Sequence, residues 1–191
     1  MRTVTASARN VFLLLVLLQG FHELEHVIQV LQIYAFGIPN GKALLGSVVD
    51  IEPVHFAYNT LYLGLLVATY LLLGLHHDGP RRHGRLIFGL LTFALVFQSW
   101  HEVEHVFKLA QYVALHVNGT GGIFGQGPGA VMPLVPIPLL HLAYNTIAYV
   151  PALLVFFALR RSESQRRSAV QPMSGPYLGG AADRVSSSRS R

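Results

Sequence analysis

The sequence predicts an all-α fold: an integral membrane four-helix bundle made of two tandem-duplicated helical hairpins with pseudo-two-fold symmetry. Three observations carry this expectation. The 191 residues are 52% hydrophobic and only 12% charged, with a mean hydropathy of +0.45, values ordinary for a polytopic membrane protein and unusual for a soluble domain. Apolar segments at roughly 10–36, 54–75, 86–116 and 137–159 are each near or above the ~20 residues that a bilayer requires. Finally, "QGFHELEHVIQVLQ" (19–32) matches "QSWHEVEHVFKLAQ" (98–111) without a gap, and "HFAYNT" (55–60) matches "HLAYNT" (141–146).

Each element follows in order. Pro39, Asn40 and Gly41 separate the first segment from the second, "HHDGPRRHGR" (76–85) the second from the third, and "NGTGGIFGQGPGA" (118–130) the third from the fourth. Backbone groups in lipid must be satisfied internally, so the apolar segments should be helices. Residues 1–85 then form a first transmembrane hairpin, residues 86–159 a second, and residues 160–191 a disordered cytoplasmic tail rich in Ser and Arg. The second copy is longer by seven residues in its Gly-rich loop. Both copies run in the same direction, which predicts a pseudo-two-fold axis along the membrane normal.

Arginine sets the orientation. Arg2 and Arg9 precede the first helix, Arg81, Arg82 and Arg85 lie between the second and third, and Arg160, Arg161, Arg166 and Arg167 follow the fourth. The 37–53 and 117–136 loops carry one Lys and no Arg. The positive-inside rule predicts a multi-pass protein of the cell (inner) membrane with both termini cytoplasmic. The net charge of +5 is thus an orientation signal, and no nucleic-acid partner is expected. Cysteine is absent, which excludes disulfides and thiolate metal sites. The start of the chain has no A-x-A-like cleavage site and belongs to the repeat, so it reads as a retained helix and not as a secretory signal.

Against this apolar background the ionisable residues stand out. At about 100° per residue, His22, Glu23, Glu25 and His26 fall within roughly 160° of arc, with Leu24 opposite. Gln19, Gln29 and Gln32 extend that stripe. The second copy repeats it with Gln98, His101, Glu102, Glu104, His105, Lys108 and Gln111, and with Val103 outward. On the other two helices His55 and Asn59, and likewise His141 and Asn145, lie one turn apart on one face, with Tyr58 and Tyr144 at its edge. At 1.5 Å per residue, His22 and His26 lie about 16 and 22 Å into a core of about 30 Å, and Asn59 reaches the level of His26 from the other side. The polar residues of all four segments should converge in the outer half of the membrane.

Cost decides what they do there. A charge at the centre of a spanning helix costs about 2.5–3.5 kcal/mol, so four unpaired carboxylates would cost on the order of 10 kcal/mol. Mutual hydrogen bonding of protonated carboxyls and histidines is one solution. Metal is the stronger one, because two divalent ions would match Glu23, Glu25, Glu102 and Glu104 beside neutral histidines. The expected metal residues are His22, Glu23, Glu25, His26, His55, Asn59, His101, Glu102, Glu104, His105, His141 and Asn145.

Several motif shapes overlap on these positions. His22-Glu23-x-x-His26 fits H-E-x-x-H, in which two histidines hold zinc and the glutamate is general base. Glu23-x-x-His26 also resembles, locally, the E-x-x-H of ferritin-like di-iron bundles. Those bundles place a Glu on each of the other two helices, where this chain has His55/Asn59 and His141/Asn145. Histidines at i and i+4 plus one from a neighbouring helix would instead give three histidines per metal, suited to copper. Haem held by His22 and His101 would leave the neighbouring glutamates unexplained.

The functional expectation is a redox enzyme with a two-metal site, iron or copper, acting on O₂ or a lipophilic small molecule. Its carboxylates would bridge the ions, and the asparagines would ligate weakly or orient the histidines. A zinc-dependent membrane hydrolase, with Glu23 or Glu102 as catalytic base, is the alternative enzyme. A non-catalytic metal-binding or accessory subunit, with a membrane-protein partner or a homo-oligomer, is the alternative outside enzymes. A transporter is disfavoured, because "NVFLLLVLL" and "LLTFALVF" below the polar stripe offer no pathway. His76, His77, His83 and His116 read as solvated or near a helix end, Tyr34 and Tyr112 as an interfacial belt, and Asp50 and Glu52 as a solvated loop or, alternatively, as an acidic mouth that guides cations. Lys108, where the first copy has Gln29, is expected to pair with Glu104 one turn away.

Overall fold

Helix α1 spans Ala6–Val30, and Thr5 caps it by accepting the Ala8 amide at 3.2 Å. It continues without a break through a π-helical turn, Leu31–Ala35. α2 spans Glu52–Leu72 with Pro53 in its first turn, where the missing N–H costs nothing. Gly74, at φ +68°, closes α2 and starts α3 (Leu75–His83). α4 spans Arg85–Leu115, and α5 spans Ile137–Val170. Two short strands, β1 (Gly125–Gln126) and β2 (Val135–Pro136), pair in parallel inside the long loop between α4 and α5. The computed structural model describes residues 5–45 and 51–170.

Three helical spans, Ala6–Ala35, Arg85–Leu115 and Ile137–Gln165, are long and apolar enough to cross a bilayer. α2 and α3, bent by 61° at Gly74, make a fourth when taken together. Their outward faces are apolar: Leu14, Leu17 and Leu24 on α1, Val96 and Val103 on α4, and Leu154 and Phe157 on α5 are exposed. A contiguous apolar surface of this kind is costly in water and at ease in lipid.

α1 packs on α5 and α2, and α4 packs on α2 and α5. One half of the interior is apolar. Phe12, Leu15, Leu66, Leu91, Ala94, Ala152 and Val155 fill it, and Tyr62 bridges it by donating to the Ala148 carbonyl at 3.3 Å. The other half, nearest the 36–45 and 116–136 loops, is polar.

Three expectations are corrected. The 76–85 segment is largely helical (α3) rather than a loop, although Asp78 at φ −139° kinks it. His83 is buried there, with Nε2 2.9 Å from the Leu73 carbonyl, whereas His76 and His77 are exposed as expected. Helix α5 runs on to Val170, although disorder is expected from Arg160. Arg161, Glu163 and Gln165 are good helix formers, so the helix propagates beyond the apolar stretch. The remainder of the expected tail, and Asp50, lie outside the described residues.

Candidate metal centre

Helical periodicity places His22 and His26 on one face of α1 and His101 and His105 on one face of α4, while His55 and His141 reach in from α2 and α5. All six are buried. They form one continuous cluster. Ring centroids lie 4.6 Å apart for His22–His26 and 4.8 Å for His101–His105. His55 stands 5.6 Å from His22 and 5.7 Å from His26. His141 stands 5.3 Å from both His26 and His105, and 5.5 Å from His55. The donor atoms of His22, His26 and His55 all lie within 4.8 Å of one another.

In each i, i+4 pair the Nε2 atoms face each other, at 3.2 Å in His22/His26 and 3.1 Å in His101/His105. Two imidazoles on one ion at about 2.0–2.1 Å have nitrogens about 2.9–3.4 Å apart, depending on whether the angle is square or tetrahedral. Both pairs already have that spacing. In addition, His141 Nε2 is buried without a hydrogen-bond partner among the described residues. Such an atom costs about 1–3 kcal/mol unless something else satisfies it. The donor set therefore fits a transition-metal ion.

Beneath the histidines lies an amide floor. Gln19 Nε2 donates to Asn145 Oδ1 at 2.8 Å, and Gln98 Nε2 to Asn59 Oδ1 at 3.1 Å. These bonds tie α1 to α5 and α4 to α2. Held in this way, Asn59 Nδ2 reaches the His55 carbonyl and stands 3.0 Å from His105 Nε2, while Asn145 Nδ2 donates to the His141 carbonyl. Asn145 thus meets a histidine only at its backbone carbonyl, whereas Asn59 also occupies the Nε2 lone pair of His105 and would have to yield it to an ion. Tyr58 stacks on His22 with centroids 4.4 Å apart, its hydroxyl donating to the Leu18 carbonyl, and Tyr144 meets His101 edge-on at 5.0 Å.

Each of the four glutamates has one oxygen engaged by the protein itself. Glu23 accepts from Thr146 Oγ1 and Glu102 from Thr60 Oγ1, each at 2.5 Å and each across to a neighbouring helix. Glu25 accepts the Leu44 and Leu45 amides at 3.1 and 3.3 Å, and Glu104 the Ile123 and Phe124 amides at 2.8 and 3.1 Å. The first two carboxylates staple helices and the last two clip loops. One oxygen of each, Oε2 of Glu23, Glu102 and Glu104 and Oε1 of Glu25, is buried without a partner among the described residues.

The expected Glu104–Lys108 pair is also corrected. Lys108 is interior, 1% exposed, but its Nζ lies 3.0 Å from Glu52 Oε1 and donates to the Thr120 carbonyl. Glu52 is accordingly buried rather than solvated. Glu104 is already engaged by the loop amides and leaves Lys108 to α2. A cleft of about 330 Å³ opens between the two loops and reaches His55, His141 and Glu52.

The sequence names every histidine and asparagine of the cluster but no role for Thr60 or Thr146, and it offers Glu52 a solvated loop or an acidic mouth rather than the Lys108 pair. The recurrence of Thr in both "AYNT" segments was the available signal.

The loop clips support a prediction. Gln32 brackets Ala43, accepting its amide at 2.8 Å and donating to its carbonyl at 3.2 Å, and Gln111 brackets Gly122 in the same way at 2.7 and 2.9 Å. Both bracketed residues are left-handed, φ +59° at Ala43 and +67° at Gly122. A side chain in that conformation costs roughly 1–2 kcal/mol. Ala43→Gly should therefore raise the thermal midpoint in detergent. Gly122→Ala should lower it further than backbone strain alone, because a Cβ there would sit 2.5 Å from Glu104 Oε1.

Comparison with protein-family models, curated proteins and solved structures finds no match.

Proposed function

We propose that the chain is an integral membrane metalloprotein in which two hairpins, residues 1–85 and 86–159, form a four-helix bundle with pseudo-two-fold symmetry around a six-histidine, two-metal centre. The observation that carries this is the pair of facing Nε2 atoms, 3.2 Å apart on α1 and 3.1 Å apart on α4, joined through His55 and His141. The recurrence of the staples, clips and amide bonds at corresponding positions of both copies supports the two-fold arrangement. Each ion takes three imidazoles: His22, His26 and His55 for one, and His101, His105 and His141 for the other. The arginines near the chain termini and between α2 and α4 support cytoplasmic termini and a loop end that faces outside.

An all-imidazole set with carboxylates held nearby suits copper better than iron among the redox metals. We assign the centre to redox chemistry on O₂ or a lipophilic small molecule, with Glu23, Glu25, Glu102 and Glu104 supplying negative charge at one remove. The hydrolase reading has less support, because one oxygen of each of Glu23 and Glu102 is already taken by a threonine of a neighbouring helix. Elemental analysis of detergent-purified protein tests the assignment. Two copper ions per chain, with a visible spectrum that changes on exposure to O₂, is the expected result. Zinc without a redox signal would remove the redox role, and a metal-free protein that binds none on titration would remove the centre itself.

A further inference from the structure

The six histidines are sealed on the apolar side by the amide floor, so an ion must reach them from the loop end. The cleft there is lined by Gln29, Lys42, Glu52, Asn118, His55 and His141, among others. Glu52 stands one turn before His55 on α2, between the mouth and the cluster. Lys108 stands one turn beyond His105 on α4 and holds Glu52 at 3.0 Å. The same lysine is tied to the loop twice: its Nζ donates to the Thr120 carbonyl at 2.5 Å, and Thr120 Oγ1 donates to the Lys108 backbone carbonyl at 2.9 Å. Among the described residues the device exists on one side only. Gln29 and Pro138 occupy the corresponding places in the other half, and both line the cleft.

We propose that this cleft is the loading port of the metal centre, with Glu52 as a transit ligand that Lys108 latches until a divalent cation arrives. The inference rests on the metal centre proposed above. A buried carboxylate needs a positive partner, and Lys108 supplies it when no ion is passing. An incoming cation displaces the ammonium from Glu52 Oε1, and the carboxylate then offsets one of its two charges while Lys108 stays on the Thr120 carbonyl. The ion then passes one helical turn inward to His55. Lys108 returns to Glu52 and carries the 118–130 loop with it through Thr120. Because the latch is present in one half only, both ions enter by the same route.

The test is the rate at which metal-free protein in detergent takes up Co²⁺, followed by the visible absorption of the bound ion. Glu52→Gln with Lys108→Gln removes both charges without leaving either unpaired. This double variant should load about tenfold more slowly at low ionic strength and reach the wild-type stoichiometry. Lys42→Glu, at an exposed position of the mouth, should load faster, and the gain should vanish at high salt. It decides the case if the buried double variant fails to fold. Unchanged uptake in Lys42→Glu, or a folded double variant that loads at the wild-type rate, overturns the port and leaves the centre standing. A double variant that fills to a lower stoichiometry makes Glu52 a resident ligand and overturns the transit role. A wild-type protein that takes up no Co²⁺ overturns the centre and the port together.

Discussion

His26→Ala and His105→Ala should each remove more than half of the bound metal. The reason is geometric. His141 stands 5.3 Å from both of these rings, and His55 lies 5.7 Å from His26 and 6.1 Å from His105. The two trios therefore share a boundary. Deleting His26 takes one nitrogen from its own 3.2 Å pair and also loosens His141, the proposed ligand of the other ion. Deleting His105 takes one nitrogen from the 3.1 Å pair on α4 and removes the ring that stands beside both His141 and His55. Two ions in such a centre should be lost together. Metal content of the purified variants is the measurement. Two independent sites would each lose one ion and keep the other, and a clean one-for-one loss in both variants would refute the shared centre. The size of the effect follows from ligand number, since an ion left with two imidazoles has lost a third of its protein ligands.

Much of this arrangement was legible from helical periodicity. Histidines at i and i+4 must share a face, and matched depth follows from 1.5 Å per residue. That is why His22, His26, His101 and His105 meet His55 and His141 as expected. The hydrogen-bond partners of the glutamates were not legible, for a physical reason. Periodicity put Glu23 and Glu25 in the same polar arc as the histidines, but it does not say what each carboxylate meets. Glu25 and Glu104 are claimed by pairs of loop amides, Leu44/Leu45 and Ile123/Phe124, whose positions depend on left-handed Ala43 and Gly122. Glu23 and Glu102 are claimed by threonines on neighbouring helices. Loop conformation and interhelical packing are both non-local. Glu52 was misread for the same reason: it precedes the apolar run, and only the approach of α4 to α2 gives it Lys108. The helical content of 75–83 was hidden by Gly79 and Pro80, yet Pro80 breaks the pattern only as far as a kink at Asp78.

Glu52→Gln alone should destabilise the protein by about 3–5 kcal/mol, and Lys108→Gln by a similar amount, because each leaves the other charge buried beside a neutral amide. At 1% and 7% side-chain exposure neither group can turn to solvent for relief. Lys108 would keep the Thr120 carbonyl, which is one acceptor for an ammonium with three donors. Removing both charges is different. Gln29 already occupies the position corresponding to Lys108 in the first copy, so a glutamine suits that helix face. The two introduced amides can hydrogen-bond to each other without the desolvation cost of two ions. The double variant should therefore recover most of what either single variant loses, giving a strongly non-additive cycle. Denaturant unfolding in detergent, followed by circular dichroism, measures all four corners. Additive losses would mean that the two side chains act separately and that the 3.0 Å contact carries no coupling. A single Lys108→Gln variant as stable as wild type would show that the ammonium is not buried at all.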